Sequence, residues 1–296
     1  EEPASSEIAF YSDRFIFRSQ NLDDLVIAVF AFERGRQEEG YYGEFMGAIF
    51  ERNRWAFFEG NDKYAYVSSD LKKIFPSYYA KVDGTSVSGF QLVYDGGDYT
   101  VKVSSGTEQA VTHPQNSEIL DKKVGVAEAV LTVHGTEHWG DLIHESLYWK
   151  GFNALRRYNG LFKNYQGFYL KSEKGDQIYF YKNSADQRAF LKRYPLSESL
   201  LPETGVIFHE NKEVDHFNTP IVLKTIERMT PPFALYKIPE RWEVIVNPDY
   251  GSLFLWSRKK ISINWLMGGY VMMAIEGVIK NGEAEERLWG FAEYFP

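Results

Sequence analysis

The sequence contains no cysteine, which excludes disulfides, thiolate metal sites and cysteine nucleophiles. It also lacks long apolar runs: the longest covers residues 25–32 and is too short to span a bilayer. Basic clusters are equally scarce, the densest being Arg258-Lys259-Lys260, and the formal net charge is −8. Since nucleic-acid binding requires a positive surface, we expect neither a nucleic-acid partner nor stable membrane insertion.

Sequence motifs for nucleotide, serine-based and zinc chemistry are absent too. The chain has no P-loop, no G-x-G-x-x-G and no G-x-S-x-G. His144-Glu145 begins an H-E-x-x-H pattern, but Leu147-Tyr148 follows where the second histidine would be needed. We therefore predict no metal and no cofactor. The polar start, which begins without methionine, gives a mild expectation of an exported protein.

Aromatic residues are abundant, at 17% of the chain with 20 tyrosines, and they favour both β-sheets and apolar pockets. Turn signals at short intervals separate apolar runs and predict hairpins, for example residues 90–103, 168–181 and 270–294. Helical patterns are few and short, at residues 69–74 and 184–193. The length of 296 residues and this pattern predict an all-β chain of two antiparallel barrel domains, residues 1–145 and 146–296.

The densest polar cluster lies at residues 133–145. Three of the six histidines occur there within eleven residues, together with three acidic residues. Strand periodicity would place His134, Thr136 and His138 on one face and Glu137 on the other. A Glu or His inside an apolar pocket has a pKa shifted toward neutrality, which suits proton transfer. Alternatively, these residues pair with one another and only stabilise the mouth of a barrel.

The spacing of several residues in this region resembles that of a known family. His138-Trp139-Gly140 is followed by Tyr148-Trp149 and then Asn153, and tocopherol cyclases show a similar Trp-Gly, Trp and Asn pattern. The wider group of lipocalin-like carotenoid 1,2-hydratases and Diels–Alderases is similar as well. The ending of the chain, residues 289–294, looks like the closing strand of the family's second barrel.

This resemblance implies two lipocalin-like barrels that bind a hydrophobic, unsaturated small molecule such as a terpenoid or polyketide. It implies a cyclase, hydratase or isomerase that needs no cofactor. Our own hypothesis from the polar cluster is that Glu137 or His138 donates the proton. The ligand-binding residues would then be His134, Trp139, Asp141, His144, Tyr148, Trp149 and Asn153. Two alternatives remain open, namely a non-catalytic carrier of a lipid, pigment or terpenoid, and a carbohydrate-active β protein.

Overall fold

The computed structural model describes most of the two halves of the chain. The described residues are 8–37, 40–62, 66–67, 74–75, 79–96, 99–116, 120–150, 165–182, 204–217, 220–230, 237–247, 250–262 and 270–295. Within them all regular structure is β-strand, and the strands form antiparallel sheets, as predicted. Across these ranges, no helix has the length and apolar character needed to cross a bilayer.

The chain divides into two compact units, Glu1–Arg156 and Arg157–Pro296. The strands of the first unit are β1 (Ile8–Ser19), β2 (Ile27–Gln37), β3 (Gly40–Glu51), β4 (Arg54–Asp62), β5 (Tyr66–Val67), β6 (Ile74–Phe75), β7 (Ala80–Thr85), β8 (Gly89–Gly96), β9 (Tyr99–Ser105), β10 (Ala110–Asn116), β11 (Leu120–Val133) and β12 (Thr136–Lys150). The predicted domain boundary after residue 145 falls inside β12, because that strand continues beyond the polar cluster.

The second unit contains the remaining strands. They are β13 (Tyr165–Ser172), β14 (Gln177–Lys182), β15 (Thr204–Phe208), β16 (Val214–His216), β17 (Val222–Met229), β18 (Ile238–Asn247), β19 (Gly251–Ser262), β20 (Val271–Asn281) and β21 (Ala284–Phe295). Of the two predicted helices, residues 184–193 and most of 69–74 lie outside the described residues, and Ile74 belongs to β6.

The main sheet of each unit places its first and last long strands side by side at the centre. The order is β4-β3-β2-β1-β12-β11-β9-β8-β7 in the first unit, with β10 added beside β11. In the second unit it is β16-β15-β14-β13-β21-β20-β19-β18-β17. The residues that meet at β1 and β12 are therefore far apart in sequence.

The sheet of the first unit curls until side chains from distant strands meet inside it. Phe58 of β4 lies 4.9 Å from Tyr94 of β8, and Phe15 of β1 lies 5.0 Å from Phe90, also on β8. The enclosed core also contains alternate residues of β2, β3, β9 and β11. Full burial of each such large apolar side chain contributes about 1.5–3 kcal/mol to stability. This packing fixes the interior face of β1 and β12.

A Trp-Gly pair occurs at the same point of both sheets. Gly140 of β12 is paired with Ser19, and Gly290 of β21 is paired with Leu170. A Cβ at either glycine would lie 2.0 or 2.1 Å from a carbonyl oxygen of the neighbouring strand, so both positions require glycine. The two units therefore align at Trp139-Gly140 and Trp289-Gly290.

Candidate active site

The candidate site lies on the interior face of the central strand pair, β1 and β12. Asp13 and Phe15 alternate along β1 on the same face as the apolar core. They are paired with Ser146 and His144 of β12, respectively. Antiparallel pairing thus brings an acid, an aromatic ring, a hydroxyl and an imidazole together inside the first unit.

His144 bridges two carboxylates. Its Nε2 lies 2.9 Å from Asp13 Oδ1, and its Nδ1 lies 2.9 Å from Glu108 Oε1. The Ser146 hydroxyl donates to Asp13 Oδ1 at 2.9 Å and also lies 2.9 Å from His144 Nε2. His144 is 6% exposed and Asp13 is also 6% exposed. Because both ring nitrogens face acceptors, the arrangement suits a doubly protonated imidazolium.

Lys123 adds a second positive group next to this network. It is paired with Ser146 across β11 and β12, and its Nζ lies 3.6 Å from Glu108 Oε2. Once His144 is protonated, the two carboxylates and two cations balance. A balanced set of charges is far less costly to bury than an unpaired one.

Two aromatic rings enclose the imidazole of His144. Phe15 stacks on it in parallel, with ring centroids 4.4 Å apart and planes 2° from each other. Phe90 approaches at 4.6 Å with an interplanar angle of 65°. Burial lowers the pKa of His144, but the hydrogen bonds and charges of Asp13 and Glu108 raise it by more, so its pKa lies above the ordinary histidine value. The group can act as a proton donor near neutral pH.

The two residues predicted as proton donors lie elsewhere, near the end of the β11–β12 hairpin. Glu137 is exposed, and the nearest ionic partner of His138 is Asp24, whose Oδ2 is 4.0 Å away and whose side chain is 75% exposed. The enclosing apolar pocket on which that prediction depended does not surround Glu137. The polar cluster lies along this hairpin, and His144 is at its buried end.

His134 also differs from its predicted place. With Gly135 it forms the two-residue turn between β11 and β12, where both residues have positive φ values of 48° and 80°. It therefore does not share a strand face with Thr136 and His138. Its ring is exposed and lies 5.2 Å from that of Tyr99.

The other predicted ligand-binding residues are divided between the two faces of β12. Tyr148 is buried on the face of His144, whereas Trp139 lies on the opposite face and is 65% exposed. Asp141 is buried and is paired with Arg18 of β1. Burial lowers the pKa of Arg18 to about 10, and the negative charge of Asp141 opposes this shift. The side chain of Trp149 and the whole of Asn153 lie outside the described residues.

The second unit has no equivalent titratable network at the matching place in its described part. His144 lies four residues after Gly140, and the residue four positions after Gly290 is Tyr294. The strand partner of His144 is Phe15, and the strand partner of Tyr294 is Gln166. Gln166 accepts a hydrogen bond of 2.8 Å from Trp242 Nε1, inside an otherwise apolar core. Among the described residues of the whole chain, no group of three or more His, Asp or Glu side chains is arranged to hold a metal ion.

Solved structures with the same arrangement span nearly the whole chain. An AttH-type protein of Nitrosomonas europaea matches with a TM-score of 0.69 at 8% identity, covering 100% of this chain and 96% of its own. Kievitone hydratase of Nectria haematococca matches with a TM-score of 0.67 at 12% identity, covering 99% and 90%. The fold is that of the two-domain lipocalin-like proteins.

A further lipocalin-like structure, CghA, matches with a TM-score of 0.50 at 9% identity, covering 96% of this chain and 88% of its own. No protein-family model matches the sequence, and no curated protein matches it significantly. The lipocalin-like fold expected from the Trp-Gly and closing-strand patterns is confirmed at the level of structure.

A second charged cluster lies at the turns of the second unit. His209 Nε2 lies 3.0 Å from Asp215 Oδ2, and its Nδ1 lies 3.3 Å from Asp176 Oδ1. Tyr250 donates to the other oxygen of Asp176 at 2.9 Å. These contacts connect the β15–β16 turn to the β13–β14 turn.

We expect this connection to weaken as the pH rises. Burial lowers the pKa of His209, but Asp215 and Asp176 raise it by more, so its pKa is higher in the folded protein. Its stabilisation is therefore complete below the unfolded pKa and is lost as the pH rises through the folded pKa. Amide hydrogen exchange, corrected for intrinsic base catalysis, should show less protection of residues 206–216 above that pH. His209→Gln should remove this pH dependence of protection. If the variant kept the wild-type dependence of exchange on pH, the role assigned to His209 would be wrong.

Proposed function

We propose that this chain is a hydratase- or cyclase-type enzyme that protonates a hydrophobic, unsaturated small molecule, with His144 as the acid. The observation that supports this most directly is the imidazole of His144, held between two carboxylates and two aromatic rings. Kievitone hydratase, which shares the fold, supports the reaction class. His144 takes the role that the sequence suggested for Glu137 or His138.

In the proposed reaction, His144 donates its Nε2 proton to one carbon of a substrate double bond. The π electrons of that bond form the new C–H bond, and positive charge develops on the neighbouring carbon. Asp13 and the π face of Phe15 lie where they would stabilise this charge. Water, or a nucleophile within the substrate, then attacks the cation and returns a proton to Nε2.

Ser146 is suited to the exchange of partners that this step requires. Its hydroxyl shares both His144 Nε2 and Asp13 Oδ1, so it can turn toward Asp13 alone when a substrate approaches Nε2. The bond of Nδ1 to Glu108 stays in place during that exchange. The ring therefore keeps its orientation while one nitrogen becomes available.

A carrier without chemistry is the second candidate. The observation that favours it is that both ring nitrogens of His144 already have partners within the protein, as a purely structural network would require. In that function the apolar interior would hold a lipid or terpenoid unchanged, and Asp13 and His144 would only join β1 to β12.

Mass spectrometry in D₂O distinguishes the two functions. Small molecules extracted from the purified chain, and kievitone, lycopene and a prenylated quinol as defined probes, would be incubated with the protein in D₂O. Protonation of carbon leaves a stable deuterium in the product, so the enzyme should yield a product heavier by one deuterium. Recovery of every probe unaltered from mildly acidic to mildly alkaline pH would contradict the enzyme and favour the carrier.

A further inference from the structure

Glu108 reaches the site from outside the central strand pair. It lies in the connection between β9 and β10, and its side chain is only 1% exposed. One carboxylate oxygen bonds His144 Nδ1 and the other faces Lys123 Nζ. A carboxylate buried this deeply requires such partners.

The carboxylate of Glu108 packs against β11 at a glycine. Gly125 of β11 is paired directly with His144, and a Cβ there would lie 2.4–2.6 Å from the carboxylate atoms of Glu108. Carbon cannot approach so closely, so any other residue at 125 would displace the carboxylate. Gly125 therefore leaves the space in which Glu108 meets His144.

The turn between β7 and β8 holds the other end of Glu108 in place. The backbone N–H of Glu108 donates to the Ser86 carbonyl at 2.9 Å, and Lys123 Nζ donates to Ser86 Oγ at 3.1 Å. Three features therefore fix the position of the Glu108 carboxylate without involving Asp13. They are the space at Gly125 of β11, the backbone hydrogen bond to Ser86 in the β7–β8 turn, and the charge of Lys123.

We propose that Glu108 is a positioning residue for His144, which keeps the imidazole doubly protonated and directs its Nε2–H toward Asp13 and Ser146. An ionised Glu108 can only accept a hydrogen bond, so Nδ1 must carry a proton, and Nε2 is then the nitrogen that exchanges its proton. Lys123 supplies the counter-charge on the side of Glu108 away from His144. The role in turnover rests on the proposed function, but the effect on His144 does not.

Histidine NMR tests the inference directly. With ¹⁵N-labelled histidine, the His144 signals would be assigned by their loss in His144→Gln and then titrated in the wild type, Glu108→Gln and Gly125→Ala. Glutamine still accepts from Nδ1–H but carries no charge, so the His144 pKa should fall by about one to three units. Gly125→Ala retains the charge but moves it away, and should shift the pKa in the same direction.

Glu128→Gln is the matched control, because Glu128 lies on the same strand as Gly125 but is exposed. It should leave the His144 titration unchanged. Should Glu108→Gln fail to fold, Gly125→Ala still decides the matter. An unaltered His144 titration in a folded Glu108→Gln or Gly125→Ala protein would overturn the inference.

The two proposals fail separately. A shifted His144 titration without any deuterium incorporation in D₂O would support the positioning role and contradict the enzyme. Deuterium incorporation with an unshifted titration in Glu108→Gln would support the enzyme and contradict the positioning role. If both hold, the pH at which the rate falls should move with the titration of His144.

Discussion

Replacing His144 by glutamine should lower the rate of deuterium incorporation by about 10²–10⁴-fold, the usual contribution of a general acid. Glutamine fills similar space and can still bond to Asp13 or Glu108, but it has no proton to donate near neutral pH. In the proposed reaction the protonated imidazole is the form that donates the proton. The rate should therefore be highest below the raised pKa of His144 and fall as the pH rises through it.

Two further variants make this result interpretable. Asp13→Asn keeps the shape of the side chain but removes the charge beside Nε2, and should reduce the rate as well. Tyr294→Phe alters the corresponding position of the second unit and should leave the rate unchanged. A His144→Gln protein with a native denaturation midpoint and an undiminished rate would exclude His144 as the donor.

Replacing Glu145 by alanine should lower the free energy of unfolding by about 3–5 kcal/mol, as expected when one member of a buried ion pair is removed. Glu145 lies on the face of β12 opposite His144 and is 3% exposed. Its carboxylate oxygens lie 3.2 Å from Lys122 Nζ and 3.9 Å from Arg14 Nη1. Without it, two buried cations lose a shared anion.

Glu137→Ala is the control for that measurement, because Glu137 lies on the same face of the same strand but is exposed near the turn. It should change the unfolding free energy by about 0.5 kcal/mol or less. Urea denaturation at neutral pH measures both. Equal losses in the two variants would contradict the assignment of the buried ion pair at Glu145.

Local patterns were sufficient to predict several strands. Asn281-Gly282 predicts the β20–β21 hairpin, which is present, although its two turn residues are Gly282 and Glu283, one residue later than predicted. Gly282 has a positive φ of 61°, as the first residue of a two-residue turn with glycine at that place requires. The β8–β9 and β13–β14 hairpins follow the predicted turns as well. These elements depend on neighbouring residues, and for that reason a single sequence reveals them.

β1 was not predicted, since polar residues interrupt its apolar pattern on both faces. Asp13 and Arg14 are buried because partners on β12 compensate them, and a sequence does not show such compensation. One signal was present, however: Asp13 shares its face with Phe15 and Phe17. A lone acid on an aromatic strand face is unusual enough to indicate a functional position.

The candidate site was predicted only in part for a related reason. Asp13 is 131 residues from His144, and Glu108 is 36 residues from it. Asp13 reaches His144 only because β1 and β12, the first and last strands of the unit, are paired. Proximity in sequence instead favours Glu137 and His138, which lie near the exposed end of the β11–β12 hairpin.

The repeated sheet order, with Trp-Gly at one point in each half, gives each unit an equivalent position four residues after that glycine. In the first unit this position is His144, which faces Asp13 and Glu108. In the second unit it is Tyr294, which belongs to the apolar core beside Gln166 and Trp242. One strand framework therefore accommodates a buried charged network in one unit and an apolar interior at the equivalent place in the other.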